Sequence, residues 1–131
     1  LPCRLAYSTP ATQGGHDLSA VIETARLIAQ RAAESRHAKL TVVFRSTLQP
    51  GTMDNLISPI FDEANNGDLP LGELLYQPEF LREGTAVADY FDPPKIVIGT
   101  QTGMSSDALG ELYRDWAAPT FVVGFREAEF I

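Results

Sequence analysis

Seven apolar residues, Leu18, Val21, Ile22, Ala25, Ile28, Ala29 and Ala32, recur at helical spacing between two short strand-like runs. That recurrence puts them on one face of an amphipathic helix, and Asp17 stands where an N-cap belongs. Before it, Arg4–Ser8 reads as a strand ending at Thr9-Pro10. After it, the run from Lys39 to Phe44 is almost continuously apolar, as expected of a buried parallel strand. A strand, a helix and a second parallel strand make a βαβ unit with a right-handed crossover. Few folds begin that way.

The rest of the chain keeps the alternation. Met53, Leu56, Ile57, Ile60, Phe61 and Ala64 mark a second helical face. Pro59 interrupts it, predicting a kink, or a break with Ser58 as cap and Pro59 as the next first residue. Asn65-Asn66-Gly67-Asp68 is turn chemistry. Glu73–Tyr76 is a short strand, and Thr85–Tyr90 spans one or two helical turns. Lys95–Gly99 is another strand. Leu109, Leu112, Tyr113 and Trp116 mark a third helix, capped at 105–107. Thr120–Val123 is a last strand, and Arg126–Ile131 opens a further helix. The expectation is a single α/β domain over 1–131, with a mainly parallel sheet and flanking helices.

Composition narrows the function classes. A chain of 131 residues can bury an ordinary core, and its 44% hydrophobic and 21% charged content is that of a globular domain. A net charge of −7 argues against a nucleic-acid partner, which would need clustered Lys and Arg. No stretch approaches the roughly 20 apolar residues of a membrane span. The one cysteine, Cys3, excludes an intrachain disulfide and fits a reducing, cytoplasmic setting. His16 and His37 stand apart from metal-ligand company, so no metal site is expected. The chain opens on Leu rather than Met, as a processed product or an excerpt would.

The stretch Tyr76-Gln77-Pro78-Glu79-Phe80-Leu81-Arg82-Glu83-Gly84 joins a strand to a charged loop. Pro78 turns the chain out of the strand and Gly84 frees the backbone at the far end. α/β sheets bind ligands beyond the carboxyl ends of their strands, so crowded charges here mark a candidate site. A solvated loop is the bland alternative. Glu79, directly after a strand and a proline, has little structural reason to be a carboxylate.

Gln77-Pro78-Glu79-Phe80-Leu81-Arg82-Glu83-Gly84 resembles the Pro-Glu-Phe-Leu-Arg-Glu signature of the UDP-glucose/GDP-mannose 6-dehydrogenase family. Arg45-Ser46-Thr47-Leu48-Gln49-Pro50-Gly51-Thr52 resembles its Ser-Thr-x-x-x-Gly-Thr turn. Pro93-Pro94-Lys95-Ile96-Val97-Ile98-Gly99 resembles its Pro-x-Arg/Lys-Ile-Val-x-Gly strand. Three ordered blocks make a specific likeness, running from about Leu5 to Ile131. It implies the latter part of a Rossmann-type, NAD-carrying amino-terminal domain.

The resemblance also implies roles. The family oxidises the C6 alcohol of UDP-glucose or GDP-mannose to a carboxylate, through a cysteine adduct that water hydrolyses. Thr47 matches a threonine between cofactor and reacting carbon, able to position a water or the substrate oxygen. Glu79 matches a glutamate that assists hydrolysis as base or water-orienting group. Phe80, Leu81 and Arg82 match a segment along the nucleotide sugar, and Glu83 a second glutamate near substrate and cofactor. Thr9 matches a threonine touching NAD. Each has a plain structural alternative: Thr47 could satisfy its own turn, Glu83 could pair with Arg126 or Lys95, and Thr9 could merely end a strand.

The Gly-x-Gly-x-x-Gly turn has no counterpart, since Gly14-Gly15 has the wrong spacing. Cys3 lies far from where the family's nucleophile stands. Ala128-Glu129-Phe130-Ile131 resembles the start of an Ala-Glu-x-x-Lys helix whose lysine would follow. The chain is therefore expected to be inactive alone, to hold NAD weakly if at all, and to self-associate through uncovered sheet edges. The alternative is a self-standing, non-catalytic binding module.

Overall fold

The computed structural model describes residues 9–10, 16–34, 40–65, 71–104 and 107–131. The expected strand at Arg4–Ser8, the Gly14-Gly15 turn, Cys3, His37 and the Asn66-Gly67-Asp68 turn lie outside them.

Thr9–Pro10 (β1) pairs antiparallel with His16–Asp17 (β2), Thr9 opposite Asp17. Helix α1, Ser19–Glu34, follows. Asp17 sits just ahead of it, and its carboxylate accepts the Ser19 N–H at 2.9 Å. The Ser19 bonds hold the Asp17 carboxyl below the usual carboxylate range. Val21, Ala25, Ala29 and Ala32 are buried and Leu18 and Ile28 partly so, as the spacing of three and four requires.

The main sheet has the order β3-β4-β5-β6: Leu40–Phe44, Leu71–Tyr76, Ile96–Thr100 and Thr120–Gly124. β3/β4 and β5/β6 are parallel pairs. They are joined by an antiparallel contact at Tyr76 and Gly99, a junction the sequence did not announce. Successive side chains point to opposite faces. Val42, Phe44, Tyr76 and Val97 meet α1, the second helix and the last helix on one face. Leu75, Ile96 and Ile98 meet Leu109, Tyr113 and Trp116 on the other. Helices thus flank a mainly parallel sheet, in a layered α/β arrangement.

The second helix departs from its expected form. Met53–Ile57 is π-helical and runs without a break into α2, Ser58–Asn65. Ser58 is itself helical (φ −53°, ψ −45°) and donates its N–H to the Met53 carbonyl, so it is not a cap. The wider turn is the physical answer to Pro59. A proline inside an α-helix lacks an N–H and clashes with the preceding turn, and a π-bulge changes that spacing. The same widening rephases the apolar face. Met53, Ile57 and Phe61 are buried, while Leu56 is turned out.

Two more elements close the fold. Ala86–Phe91 (α3) lies where one or two helical turns were expected. The third expected helix is shorter than its apolar spacing suggests. Asp107–Leu112 (α4) ends before Tyr113 and Trp116, and Leu112 is exposed. Beyond it the chain tightens, with Trp116 N–H donating to the Tyr113 carbonyl. The Tyr113 N–H still donates to the Leu109 carbonyl, and Tyr113 and Tyr90 both pack edge-on against Trp116. Phe125–Phe130 (α5) then follows β6 directly and seats Phe125 and Ala128 in the core.

Candidate active site

β3 and β4 run parallel with Phe44 opposite Tyr76, and the Gln77 N–H donates to the Phe44 carbonyl at 2.8 Å. Thr47 is three residues past Phe44 and Glu79 three residues past Tyr76. Both therefore leave the carboxyl end of adjacent parallel strands at the same offset, and both are exposed. The two loops diverge from there.

The Thr47 loop is pinned closely. Leu48 is buried, and its backbone hydrogen-bonds the Tyr76 hydroxyl. The Gln49 carbonyl accepts from the Thr52 N–H at 3.0 Å and the Thr52 hydroxyl at 2.7 Å. Gly51 takes φ +92°, the left-handed region where a side chain is strained, and an added Cβ would meet Asn55 Nδ2 at 2.8 Å. The buried Glu129 carboxylate accepts the Gly51 N–H at 2.5 Å and the Met53 N–H at 2.6 Å.

The Glu79 loop borders a small hollow of about 40 Å³, lined in part by Arg45, Glu79, Phe80, Leu81, Lys95 and Trp116. Lys95 Nζ sits 4.6 Å from the centre of the Phe80 ring. Gln77, buried, accepts the Tyr113 hydroxyl at 3.1 Å. The Arg45 Nε is buried and has no hydrogen-bond partner among the described residues. Thr47, Thr9, Arg82 and Glu83 are not among the hollow's walls.

Arg82 turns to Asp89 instead. Its Nη2 and Nε donate to the two carboxylate oxygens at 2.7 and 3.1 Å, and its own backbone N–H adds a third bond at 3.0 Å. Thr85 Oγ1 adds a fourth at 3.0 Å. The Arg82 hydrogen bonds, ahead of the charge itself, hold the Asp89 carboxyl well below the usual range. This knot, with Gly84 at φ +83°, shapes the loop between β4 and α3. Glu83 is exposed, and among the described residues it makes no ion pair with Lys95 or Arg126. Thr9 is held in the β1/β2 ladder.

Sequence reasoning gave no part to Asp89, Arg45 or Glu129. Asp89, seven residues beyond Arg82, was within local reach, and opposite charges around a tight glycine turn were the available sign. Glu129 had none, since its partners lie 78 and 76 residues away.

The first N–H groups of the helices after β2 and β3 are engaged by carboxylates of the chain itself, Asp17 and Glu129. A dinucleotide diphosphate at either helix start would compete with these carboxylates for the same N–H groups. Thr47, exposed past the end of β3, carries a hydroxyl that can both donate and accept.

A layered α/β sheet with charged loops past the carboxyl ends of its parallel strands is the architecture of the Rossmann-type NAD-binding domains of dehydrogenases. The family profile "UDP-glucose/GDP-mannose dehydrogenase family, NAD binding domain" matches residues 3–117, and the chain belongs to that family. It is 37% identical to the UDP-glucose 6-dehydrogenase AglM of Haloferax volcanii, over 97% of this chain and 31% of that protein. It is also 37% identical to the GDP-mannose 6-dehydrogenase of Pseudomonas aeruginosa, over 97% of this chain and 29% of that one. The crystal structure of a ternary complex of GDP-mannose dehydrogenase from Pseudomonas aeruginosa superposes with a TM-score of 0.83 at 34% identity, covering 94% of this chain and 28% of the other. The UDP-glucose dehydrogenase of Pyrobaculum islandicum gives 0.83 and 34%, over 95% and 28%. The chain thus spans under a third of the length of these relatives.

Proposed function

We propose that this chain supplies Thr47 and Glu79 to the reaction centre of an NAD-dependent nucleotide-sugar 6-dehydrogenase and is inactive alone. The observation that carries the reading is the equal offset of the two residues from the paired ends of β3 and β4. Two loops leaving adjacent strands side by side can serve one substrate from two sides.

NAD, when bound, accepts the hydrides. The chain's own residues prepare the substrate. The Thr47 hydroxyl donates to or accepts from the C6 oxygen and holds its orientation. The Glu79 carboxylate is exposed and acceptor-only when ionised, so it orients a water and takes its proton during hydrolysis. Phe80 and Leu81 offer an apolar edge to the sugar. Arg82 contributes mainly through Asp89, by shaping that edge, and Glu83 stands in solvent beside it. With Asp17 and Glu129 on the helix starts, the chain alone is a poor holder of NAD. Equal identity to a UDP-glucose and a GDP-mannose enzyme favours neither sugar nucleotide.

The test is a graft. This chain replaces the matching segment of the Pseudomonas aeruginosa GDP-mannose 6-dehydrogenase, and NAD reduction is followed with GDP-mannose and with UDP-glucose. The graft is expected to turn over, and Glu79→Ala to slow it about 10²–10⁴-fold. A graft that binds both ligands yet turns over as fast with Glu79→Ala and Thr47→Ala would remove the assignment. Turnover by the chain alone would refute its dependence on other segments.

A further inference from the structure

An ordinary helix start is capped by the residue that begins it, through a Ser, Thr, Asp or Asn side chain. The helix after the Thr47 loop is built differently. Thr52, at its cap position, is already helical (φ −64°, ψ −45°) and makes no side-chain cap bond. Its hydroxyl reaches back to Gln49. The exposed ends of the first turn are met instead by Glu129, from the last turn of α5, with one carboxylate oxygen on Gly51 and the other on Met53. Two charge-assisted bonds from one planar group fix an orientation as well as a distance, and the helix dipole favours a negative charge at that end.

We propose that Glu129 is a positioning residue: ionised, it clamps the Gly51–Met53 turn to α5 and thereby sets where the Thr47 hydroxyl stands. What Thr47 does rests on the dehydrogenase reading; the clamp does not. The path between them is short. Gly51 is four residues past Thr47, and Leu48 and Gln49 between them are held by the core and by Thr52. Gly51 takes φ +92° as the third residue of the Gln49–Thr52 turn, after Pro50, and the Glu129 bond to its N–H ties that turn to α5. α5 packs on β4, β5 and β6 as well as on the π-helical turn. A displacement of α5 is therefore passed to the Thr47 loop, with Glu129 as the hydrogen-bonded link.

The clamp is pH-sensitive. Burial pushes the Glu129 carboxyl up, against the lowering effect of the Met53 and Gly51 N–H groups. Asp54 on the π-helical turn raises it further, Arg126 on α5 lowers it, and Tyr76 on β4 faces it as a neutral phenol. Protonation removes the charge that both bonds use.

The experiment is an amide NMR titration of the full chain, labelled with nitrogen-15, from neutral pH to about pH 4. The Gly51 and Met53 resonances are expected to move with one midpoint, above the ordinary glutamate value. The Thr47 resonance is expected to follow with the same midpoint. Glu129→Gln should place Thr47 at neutral pH where the wild type has it in acid, and Glu129→Asp should restore part of the titration. A Thr47 resonance that stays still while Gly51 and Met53 move reduces Glu129 to a helix cap and overturns the proposal. So does a flat Gly51 and Met53 titration. The wild-type curves decide this even if a variant fails to fold. No ligand is added, so a failed graft would sink the dehydrogenase reading and leave this result standing.

Discussion

Gly99 and Ala128 stand so close that a Cβ added to the glycine would lie 2.8 Å from the alanine's own Cβ. The same added atom would lie 3.2 Å from the Tyr76 carbonyl. Gly99 is the β5 residue opposite Tyr76 at the antiparallel junction, and Ala128 is the face of α5 laid over it. The bare strand lets α5 approach, and α5 brings Glu129 to the Thr47 loop.

Gly99→Ala should therefore destabilise the fold by about 1–3 kcal/mol, the usual cost of overpacking. Urea denaturation measures it. Gly99→Ala combined with Ala128→Gly should recover part of the loss, because the tightest approach is between those two atoms and the one to Tyr76 remains. An unchanged midpoint in the single variant would mean that α5 does not sit on β5 as described.

Asp89 and Glu129 should bend the pH dependence of stability in opposite directions. Asp89 titrates below its ordinary value of about 3.9, so its contribution is present above that pH and is lost as acid reaches the folded value. Glu129 titrates above its ordinary value of about 4.3, so the folded form binds the proton first, and stability falls as pH rises through that interval. Urea midpoints against pH should lose part of their acid decline in Asp89→Asn and part of their fall on the alkaline side of pH 4.3 in Glu129→Gln. Identical curves for wild type and both variants would contradict the two arrangements.

Self-association is expected at high concentration. Among the described residues β3 and β6 are the outer strands of the sheet, and Phe121 on β6 is half exposed. An open edge with an exposed aromatic pairs with another chain. Light scattering should show concentration-dependent mass, and Phe121→Lys should raise the concentration required by about tenfold. A clean monomer throughout would refute it.

Local patterns carried far in this chain because strands and helices each impose their own period. The α1 face could be listed residue by residue beforehand, and every member tested is buried or half-buried. The site stretch at Gln77–Gly84 could be located too, because proline, glycine and charge are local signs. Other features depended on partners distant along the chain. Pro59 promised an interruption, but only packing of Met53, Ile57 and Phe61 turned that into a π-helical turn rather than a break. Tyr113 and Trp116 had helical spacing, but the chain tightens after Leu112, where Trp116 packs edge-on between Tyr113 and Tyr90.

By itself the sequence determined the alternation of elements, the buried face of α1 and the two loops that bear Thr47 and Glu79, since these follow from near-neighbour sterics and hydrophobic period. Only the tertiary structure decided that those loops leave paired strand ends in step, that Arg82 belongs to Asp89, and that Glu129 holds the Thr47 turn. Strand order and a carboxylate's choice of amides are settled by which surfaces exclude water together, and no residue's immediate neighbours record that.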